Sequence, residues 1–267
     1  GLPAHVQRLQ PSLPRRQRAE REHGRARGHD AALQLPHLVT PAVLAVGELQ
    51  PSDMILRDQN HPSVLTWSIG NENPSRPTFG QIRYIQAAHN LVKQLDPTRL
   101  LGFDIAGYPS TPKIPEYKYI TALGINDYFG WYPGPSGQIF DRTKLSGYLD
   151  AARACYTKQA LMITEFGAEA NRDGPVEEKG TWAFQSDWIN YQLGVIGSKP
   201  WLSGAIYWTL DEFRVRPGWD GGNPKPDPPF HQKGLISIDG TPKPAYTDVQ
   251  QIYHNTTQYN APVAVKR

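Results

Sequence analysis

Segments typical of strands and helices alternate from Pro51 onward, and this alternation limits the fold more than any other feature of the sequence. Strands that alternate with helices form βαβ units, and such units build a parallel sheet, so we expect an α/β fold. The β-branched, aromatic and aliphatic runs predict strands at about 64–70, 100–104, 120–128, 160–166 and 203–210. The predicted helices are the end of one at 53–58, a strongly amphipathic one at 79–95, and further ones at 145–156, 181–196 and 244–253.

The first 48 residues differ in kind from the rest of the chain. They contain no aromatic side chain of the Phe, Tyr or Trp type, no isoleucine and no lysine. A segment of this composition buries little apolar surface, so the physical expectation is disorder. Its bias toward Arg, Ala, Gly, Pro and Leu is also what a GC-rich gene gives when it is read in the wrong frame. We therefore expect residues 1–48 to be a disordered or non-native segment, residues 49–258 the folded domain, and residues 259–267 a tail.

The charge and composition exclude several classes of protein. Residues 1–50 carry seven arginines against four acids, whereas residues 51–267 carry 21 basic and 21 acidic residues. The neutral body gives no electrostatic footprint for nucleic acid, although a basic arm at residues 1–48 that binds nucleic acid or anionic lipid is a weaker alternative. No apolar run approaches the roughly 20 residues of a membrane span. One cysteine, Cys155, excludes an internal disulfide framework, and the lack of a signal-peptide pattern favours the cytoplasm.

Two predicted strands end in a glutamate. Residues 60–72 read NHPSVLTWSIGNE, a buried strand that ends in the pair Asn71 and Glu72, and residues 163–169 read ITEFGAE, in which Glu165 lies near the strand end. The C-terminal ends of parallel barrel strands are where such folds keep their chemistry. A retaining glycosidase needs two carboxyl groups on one face, one to protonate the leaving oxygen and one to attack the anomeric carbon. The two strand ends therefore supply two carboxyl groups on one face, as such chemistry requires.

These motifs resemble glycoside hydrolase family 2, the family of β-galactosidases and β-glucuronidases. The resemblance covers about residues 51–258 and includes GINDYFGWY at 124–132 and HQKGLISIDGTPKPAY at 231–246. It implies the C-terminal part of a (β/α)8 TIM barrel, in which strands four to eight are recognisable and strands one to three are missing. An open barrel leaves an unpaired strand edge, so we also expect self-association through that edge.

The resemblance assigns a role to each of nine residues. Glu72 is expected to be the acid/base and Glu165 the nucleophile, with Tyr128 hydrogen-bonded to Glu165. Asn71 is expected to bind the sugar 2-hydroxyl, and Trp208 to form the floor under the ring. The remaining residues expected to bind substrate are Asn126, Tyr128, Trp131, Tyr132 and Lys233. Glu169 and Asp211 lie a few residues beyond strands, and we interpret them as supporting or loop charges.

The segment His231-Gln232-Lys233 bears on the choice of sugar. β-Glucuronidases carry an Asn-x-Lys pattern here that holds the substrate carboxylate, and this chain keeps the lysine but has a histidine in place of the asparagine. A lysine can face an anionic sugar and a histidine can still donate a hydrogen bond. Glucuronate, galactose and mannose therefore all stay open.

The sequence thus predicts a retaining exo-β-glycosidase that hydrolyses terminal β-linked sugars by double displacement. The reaction needs no cofactor, no metal-ligand spacing is present, and the expected partner is a carbohydrate. The alternative is a catalytically inactive barrel remnant that binds sugar weakly at most. The missing strands favour the remnant, whereas the intact Glu72, Glu165 and Tyr128 favour the enzyme.

Overall fold

The structure, a computed structural model, describes residues 41–72, 77–106, 114–134, 136–219 and 221–256, with side chains from residue 50 onward. The expectations for residues 1–40 and for the tail at 259–267 fall outside the described residues. The helices are α1 (Pro41–Asp58), α2 (Phe79–Leu95), α3 (Leu145–Cys155), α4 (Trp182–Gly197) and α5 (Pro244–Asn255). Short 3₁₀ helices occupy Pro115–Tyr119 and Arg142–Lys144. The strands are β1 (Thr66–Asn71), β2 (Leu100–Ala106), β3 (Ala122–Asp127), β4 (Ala160–Phe166), β5 (Leu202–Ala205), β6 (Phe213–Arg214) and β7 (Phe230–His231).

The five longer strands form one sheet in the order β1-β2-β3-β4-β5, so each strand neighbours the next one in sequence. The strands β3 and β4 pair in parallel, as do β4 and β5, and β6 pairs with β7 antiparallel. Every residue of β3 is buried, as expected for a parallel strand covered on both faces. The predicted strand and helix alternation is therefore confirmed.

The chain divides into two compact units, and the first holds the described residues up to 69, 77–102 and 116–120. Its core includes Trp67, which is fully buried and donates its indole N–H to the Asp96 carboxylate at 3.0 Å. Burial alone would raise the pKa of Asp96, but hydrogen bonds from Thr98, Arg99 and Trp67 hold that pKa well below its usual range. Helix α2 begins with a capping box between Thr78 and Gln81.

The second unit holds residues 70–72, 103–106, 114–115 and everything described from 121 onward. Its centre is the pair β3 and β4, where Ile125 and Ile163 lie side by side and are fully buried. After these residues the register shifts, and Asn126 comes to lie beside Glu165. The irregularity brings two polar side chains together at the end of the sheet.

Three elements differ from the sequence prediction. Helix α1 begins at Pro41 and passes through Pro51, whereas the sequence predicted only the end of a helix at 53–58 and assigned residues 1–48 by composition to a disordered or non-native segment. Strand β5 ends at Ala205 rather than near residue 210, although Trp208 still donates its backbone N–H to Phe166 O at 2.9 Å. The β6–β7 hairpin lies where Pro and Gly predict a loop. Among the helices that the structure describes, none is long and apolar enough to cross a membrane.

Candidate active site

The two glutamates predicted to be catalytic lie in the second unit, at the ends of β1 and β4. Asn71 is the last residue of β1 and Glu72 follows it, while Glu165 is the last residue but one of β4. Both Asn71 and Glu72 are exposed, and Glu165 is half-buried. The structure therefore brings the predicted acid/base and nucleophile to strand ends within one compact unit.

Asn126 connects the two strand ends. Its amide Nδ2 donates to Asn71 Oδ1 at 2.9 Å and to Glu72 Oε1 at 3.1 Å. Its Oδ1 accepts a hydrogen bond at 2.8 Å from Oγ1 of Thr164, the residue before Glu165. The amide is fully buried, and these contacts use both of its N–H groups. Asn126 was predicted to bind substrate; in this structure its side chain positions Asn71 and Glu72.

The backbone at Glu72 is in an unusual conformation. Its φ angle is 48°, in the left-handed region that residues with a side chain rarely adopt. The backbone N–H of Glu72 donates to Asp104 O, at the end of β2, at 2.9 Å. Strained residues of this kind collect at functional sites, where the surrounding structure holds them in place. The conformation turns the chain sharply at the strand end and fixes the direction of the Glu72 side chain.

Glu165 accepts a hydrogen bond from Tyr128, as the sequence predicted. The Tyr128 hydroxyl donates to Glu165 Oε2 at 2.7 Å. Burial raises the pKa of Glu165 to about 7, with further upward contributions from Glu72 and Asp104, while Tyr128 and Lys233 act in the opposite direction. The hydrogen bond orients the carboxylate, but burial outweighs it, so Glu165 titrates close to neutral pH.

The turn after β3 places Tyr128. Its next residue, Phe129, donates its backbone N–H to Asp127 Oδ1 at 3.0 Å. The carbonyl of Phe129 accepts from Trp188 Nε1 at 2.9 Å and from Gln192 Nε2 at 2.7 Å, both in α4. The position of the Tyr128 hydroxyl is therefore set by a helix as well as by the strand.

Lys233 is a buried ammonium group within a ring of aromatic side chains. It is 1% exposed, and its Nζ donates to the Tyr132 hydroxyl at 2.6 Å. The same nitrogen lies 4.7 Å from the ring centre of Tyr132, 5.3 Å from that of Tyr128 and 5.9 Å from that of Trp131. Burial lowers the pKa of Lys233 to about 8, although nearby carboxylates raise it. The side chain thus supplies positive charge beside Glu165.

Two residues predicted to contact the substrate, Trp131 and Trp208, are buried and half-buried respectively. Trp131 is fully buried and donates its indole N–H to Gly221 O at 2.9 Å, so in this structure its ring supports Lys233. Trp208 is half-buried beyond β5, and its ring packs edge-on against Phe213 at 6.0 Å and His231 at 6.2 Å. The expectation that Trp208 forms the floor under a sugar ring stays a prediction.

His231, which replaces the family asparagine, is an uncharged aromatic group in this structure. Its ring is buried and stacks on Phe213, with 4.5 Å between centres and 17° between planes. Burial lowers the pKa of His231 to about 3, and the positive charges of Lys233 and Lys243 lower it further. Lys233 is therefore the cation that the segment 231–233 contributes.

Sequence reasoning missed two parts of the site. The backbone of Asp104 at the end of β2 anchors Glu72, and the Thr164 hydroxyl holds Asn126. Asp104 lies at the end of a predicted strand, so the expectation that polar residues at strand ends belong to the site applies to Asp104 as well as to Glu72. The sequence gives no comparable indication for Thr164, because its hydrogen bond to Asn126 depends on the register shift between β3 and β4.

Comparison with known proteins agrees with this geometry. Residues 41–258 match the family model described as glycosyl hydrolases family 2, TIM barrel domain. A β-glucuronidase from Sus scrofa is 29% identical over 226 residues, which are 78% of this chain and 31% of the relative. A β-glucuronidase from Paenibacillus borealis is 26% identical over 200 residues, which are 73% of this chain and 31% of the relative. The chain thus spans about 31% of the length of these curated relatives.

A solved structure shows the same architecture. The β-galacturonidase from Eisenbergiella tayi bound to galacturonate superposes with a TM-score of 0.68 at 24% identity, over 81% of this chain and 38% of that one. The fold is therefore of the α/β TIM-barrel type. The family match begins at residue 41, where α1 begins, and so extends further toward the N-terminus than the motifs alone indicated.

Proposed function

Because the chain belongs to glycosyl hydrolase family 2, we propose that it is a retaining exo-β-glycosidase that removes terminal β-linked sugars, with uronic acids preferred. One observation supports this most: the buried Asn126 amide ties Glu72 to the strand end that carries Glu165. Glu165 in turn is oriented by Tyr128. Two carboxyl groups in fixed positions are the requirement of glycoside hydrolysis.

The reaction proceeds in two displacements. Glu165 attacks the anomeric carbon while Glu72 donates a proton to the glycosidic oxygen, so the bond to the aglycone breaks and a glycosyl ester forms. Water then attacks the anomeric carbon, Glu72 accepts its proton, and the ester bond to Glu165 breaks. The sugar leaves with the configuration that it had in the substrate.

The roles of the two glutamates follow from the motifs and the Tyr128 hydrogen bond. Burial raises the pKa of Glu165 to about 7, and a raised pKa is also what a general acid needs. The pKa therefore does not distinguish nucleophile from general acid, and a labelling experiment is needed. An activated 2-fluoro sugar traps the covalent ester. Mass spectrometry of the digested protein is expected to find the label on Glu165, and a label on Glu72 would reverse the assignment.

Lys233 supports a preference for uronic acids. Among the described residues its ammonium makes one hydrogen bond, to Tyr132, whereas an ammonium group can donate three. A sugar carboxylate would fill the remaining donors and add charge compensation to a buried cation. The β-glucuronidase names of the relatives agree with this choice, while the uncharged His231 favours a neutral sugar such as galactose as the second substrate candidate.

A barrel fragment without activity is the second candidate function. The described residues form a sheet of five longer strands, fewer than a closed (β/α)8 barrel contains, and this observation favours it. The end strands β1 and β5 would then present open edges, through which we propose that copies associate. Size-exclusion chromatography with light scattering tests the association, and a monomer at all concentrations would contradict it.

A panel of nitrophenyl β-glycosides tests the proposed activity, with glucuronide, galacturonide, galactoside and mannoside as substrates. Release of nitrophenol is expected to be fastest for the uronides. Glu72→Gln and Glu165→Gln are each expected to lower kcat by about 10²–10⁴-fold or more. Glu177→Gln, at an exposed acid, serves as the matched control. A soluble, folded protein that turns over none of the four substrates would support the inactive fragment.

A further inference from the structure

Glu169 is a buried carboxylate that the proposed mechanism does not use. It is 1% exposed, and its Oε1 accepts hydrogen bonds from Trp219 Nε1 and from the backbone N–H of Gln232, both at 3.4 Å. Its Oε2 is buried and has no hydrogen-bond partner among the described residues. The backbone of Gly221 covers the carboxylate so closely that a side chain there would overlap it. A carboxylate held this way is costly unless a nearby charge compensates it.

The compensating charge is Lys233, next to Gln232 in sequence. Among the carboxylates that favour the ammonium form of Lys233, Glu169 contributes most, followed by Glu165 and Glu72, while Lys179 opposes them. Burial raises the pKa of Glu169, and Lys233 is the strongest of the groups that lower it and so favour the charged carboxylate. The other cation that acts on Glu169, Lys243, already forms an ion pair of 2.6 Å with Glu212. Glu169 and Lys233 therefore depend on each other.

The three carboxylates near Lys233 differ in how they behave during catalysis. Glu165 loses its negative charge when it becomes an ester, and Glu72 must carry a proton before it can act as an acid. Glu169 takes part in neither step. Its negative charge is therefore the one that persists while the anionic sugar is bound.

We propose that Glu169 is a specificity-determining residue: its buried carboxylate keeps Lys233 in the ammonium form and thereby gives the site its preference for a sugar that bears a carboxylate. This inference rests on the proposed function, because it assumes that Lys233 faces the sugar. Glu169 acts through Lys233 and is a positioning residue rather than a catalytic one.

The variant Glu169→Gln removes the charge and keeps the shape. The amide oxygen can still accept from Trp219 and from Gln232, and the added NH₂ group takes the place of the oxygen that has no partner. Glu169→Asp keeps the charge, and Glu177→Gln makes the same chemical change at an exposed position. Together the three variants separate the effect of the charge at Glu169 from the effect of its side-chain length and from the effect of the net charge of the protein.

Calorimetric titration with D-glucuronate and with D-glucose, between about pH 6 and pH 9, is the test. Wild-type affinity for glucuronate should fall as pH rises through the pKa of Lys233, about 8. In Glu169→Gln the fall should occur about one pKa unit lower, so that near pH 9, above both pKa values, glucuronate binds about tenfold more weakly than it binds the wild type. Glucose affinity should not change, and Glu169→Asp and Glu177→Gln should keep the wild-type pH dependence.

Two results would overturn the inference: equal weakening of glucuronate and glucose in Glu169→Gln, or an unchanged pH dependence for glucuronate. If Glu169→Gln does not fold, the double variant Glu169→Gln/Lys233→Gln decides. It should regain folding, because removal of both charges leaves no unpaired buried ion. A double variant that is no more stable than the single one contradicts the pairing.

The test also separates this inference from the proposed activity. If glucuronate binds with the expected pH dependence but no glycoside is turned over, the result would support the role of Glu169 in specificity and refute the proposed glycosidase activity. Turnover of neutral glycosides, with glucuronate bound no more tightly than glucose, would refute the inference and leave a glycosidase.

Discussion

Lys243 and Glu212 form a buried ion pair whose loss should be visible in unfolding. Their side chains are 2% and 6% exposed, and Lys243 Nζ lies 2.6 Å from Glu212 Oε1. The same Nζ donates to Ala170 O at 2.7 Å and to Gln232 O at 2.9 Å, so all three of its protons are used. The ammonium therefore joins the segment after β4 to the segment that carries Lys233.

The substitution Lys243→Met keeps a long side chain and removes the charge. It leaves Glu212 buried with one remaining hydrogen bond, from Ile238 N at 3.0 Å, and leaves the two carbonyl groups without their side-chain donor. Breaking a buried pair by removing one partner costs about 3–5 kcal/mol. That is a large part of the roughly 5–15 kcal/mol by which a native protein is stable. At about 2–4 °C per kcal/mol for a chain of this size, Tm should fall by about 6–20 °C.

Thermal and urea unfolding at neutral pH, followed by circular dichroism, measure the effect. The double variant Lys243→Met/Glu212→Gln should regain much of the lost stability, because no unpaired charge remains. Lys225→Met is the matched control: Lys225 pairs with Glu178 at 2.8 Å, but it is 67% exposed, so its loss should change unfolding little. A loss below about 1 kcal/mol for Lys243→Met would refute the reasoning from burial.

Three further outcomes are expected. Tyr128→Phe should lower kcat by about 10- to 150-fold, because a hydrogen bond to a charged group contributes about 1.5–3 kcal/mol; steady-state kinetics measure this, and an unchanged kcat would contradict it. If Glu165 is the nucleophile, kcat/KM should rise with pH through about 7, because burial raises its pKa to about 7 and it must be ionised to attack; a rate that is flat from pH 5 to pH 8 would argue against it. Burial also raises the pKa of Asp127 from 3.8 to about 7, so its contribution to stability is present below about pH 4 and is lost as pH rises to about 7. The free energy of unfolding of Asp127→Asn in urea, taken relative to that of the wild type, should therefore be higher at pH 8 than at pH 4.5. The same relative free energy at both pH values would count against this.

Much of the candidate site could be predicted from the sequence, because it depends on local pattern and strand order. The runs that end at Glu72 and Glu165 are recognisable as buried strands, and polar residues at the ends of such strands meet at one edge. The Tyr128 hydrogen bond followed from the resemblance, and the structure confirms it.

The remaining features depend on contacts between distant segments. The hydrogen bond between Asn126 and Glu72 depends on a register shift in the sheet, which the sequence does not indicate, whereas the expected sugar contact of Asn126 stays a prediction. The fully buried Trp131 donates its indole N–H to the carbonyl of Gly221, which follows 90 residues later. Helix α1 was shortened in the prediction because the composition of residues 1–48 indicates disorder, whereas residues 41–48 belong to the helix.

The double hydrogen bond to the carbonyl of Phe129 couples the position of Tyr128 to helix α4. Trp188 and Gln192 lie one turn apart on α4, and both hold the turn from which Tyr128 reaches Glu165. Substitutions at Trp188 or Gln192 are therefore expected to change the pKa of Glu165, the proposed nucleophile, through its hydrogen bond with Tyr128. If the chain has the proposed activity, its pH dependence would vary with substitutions on α4, and a search for variants with a shifted pH dependence should begin on that helix.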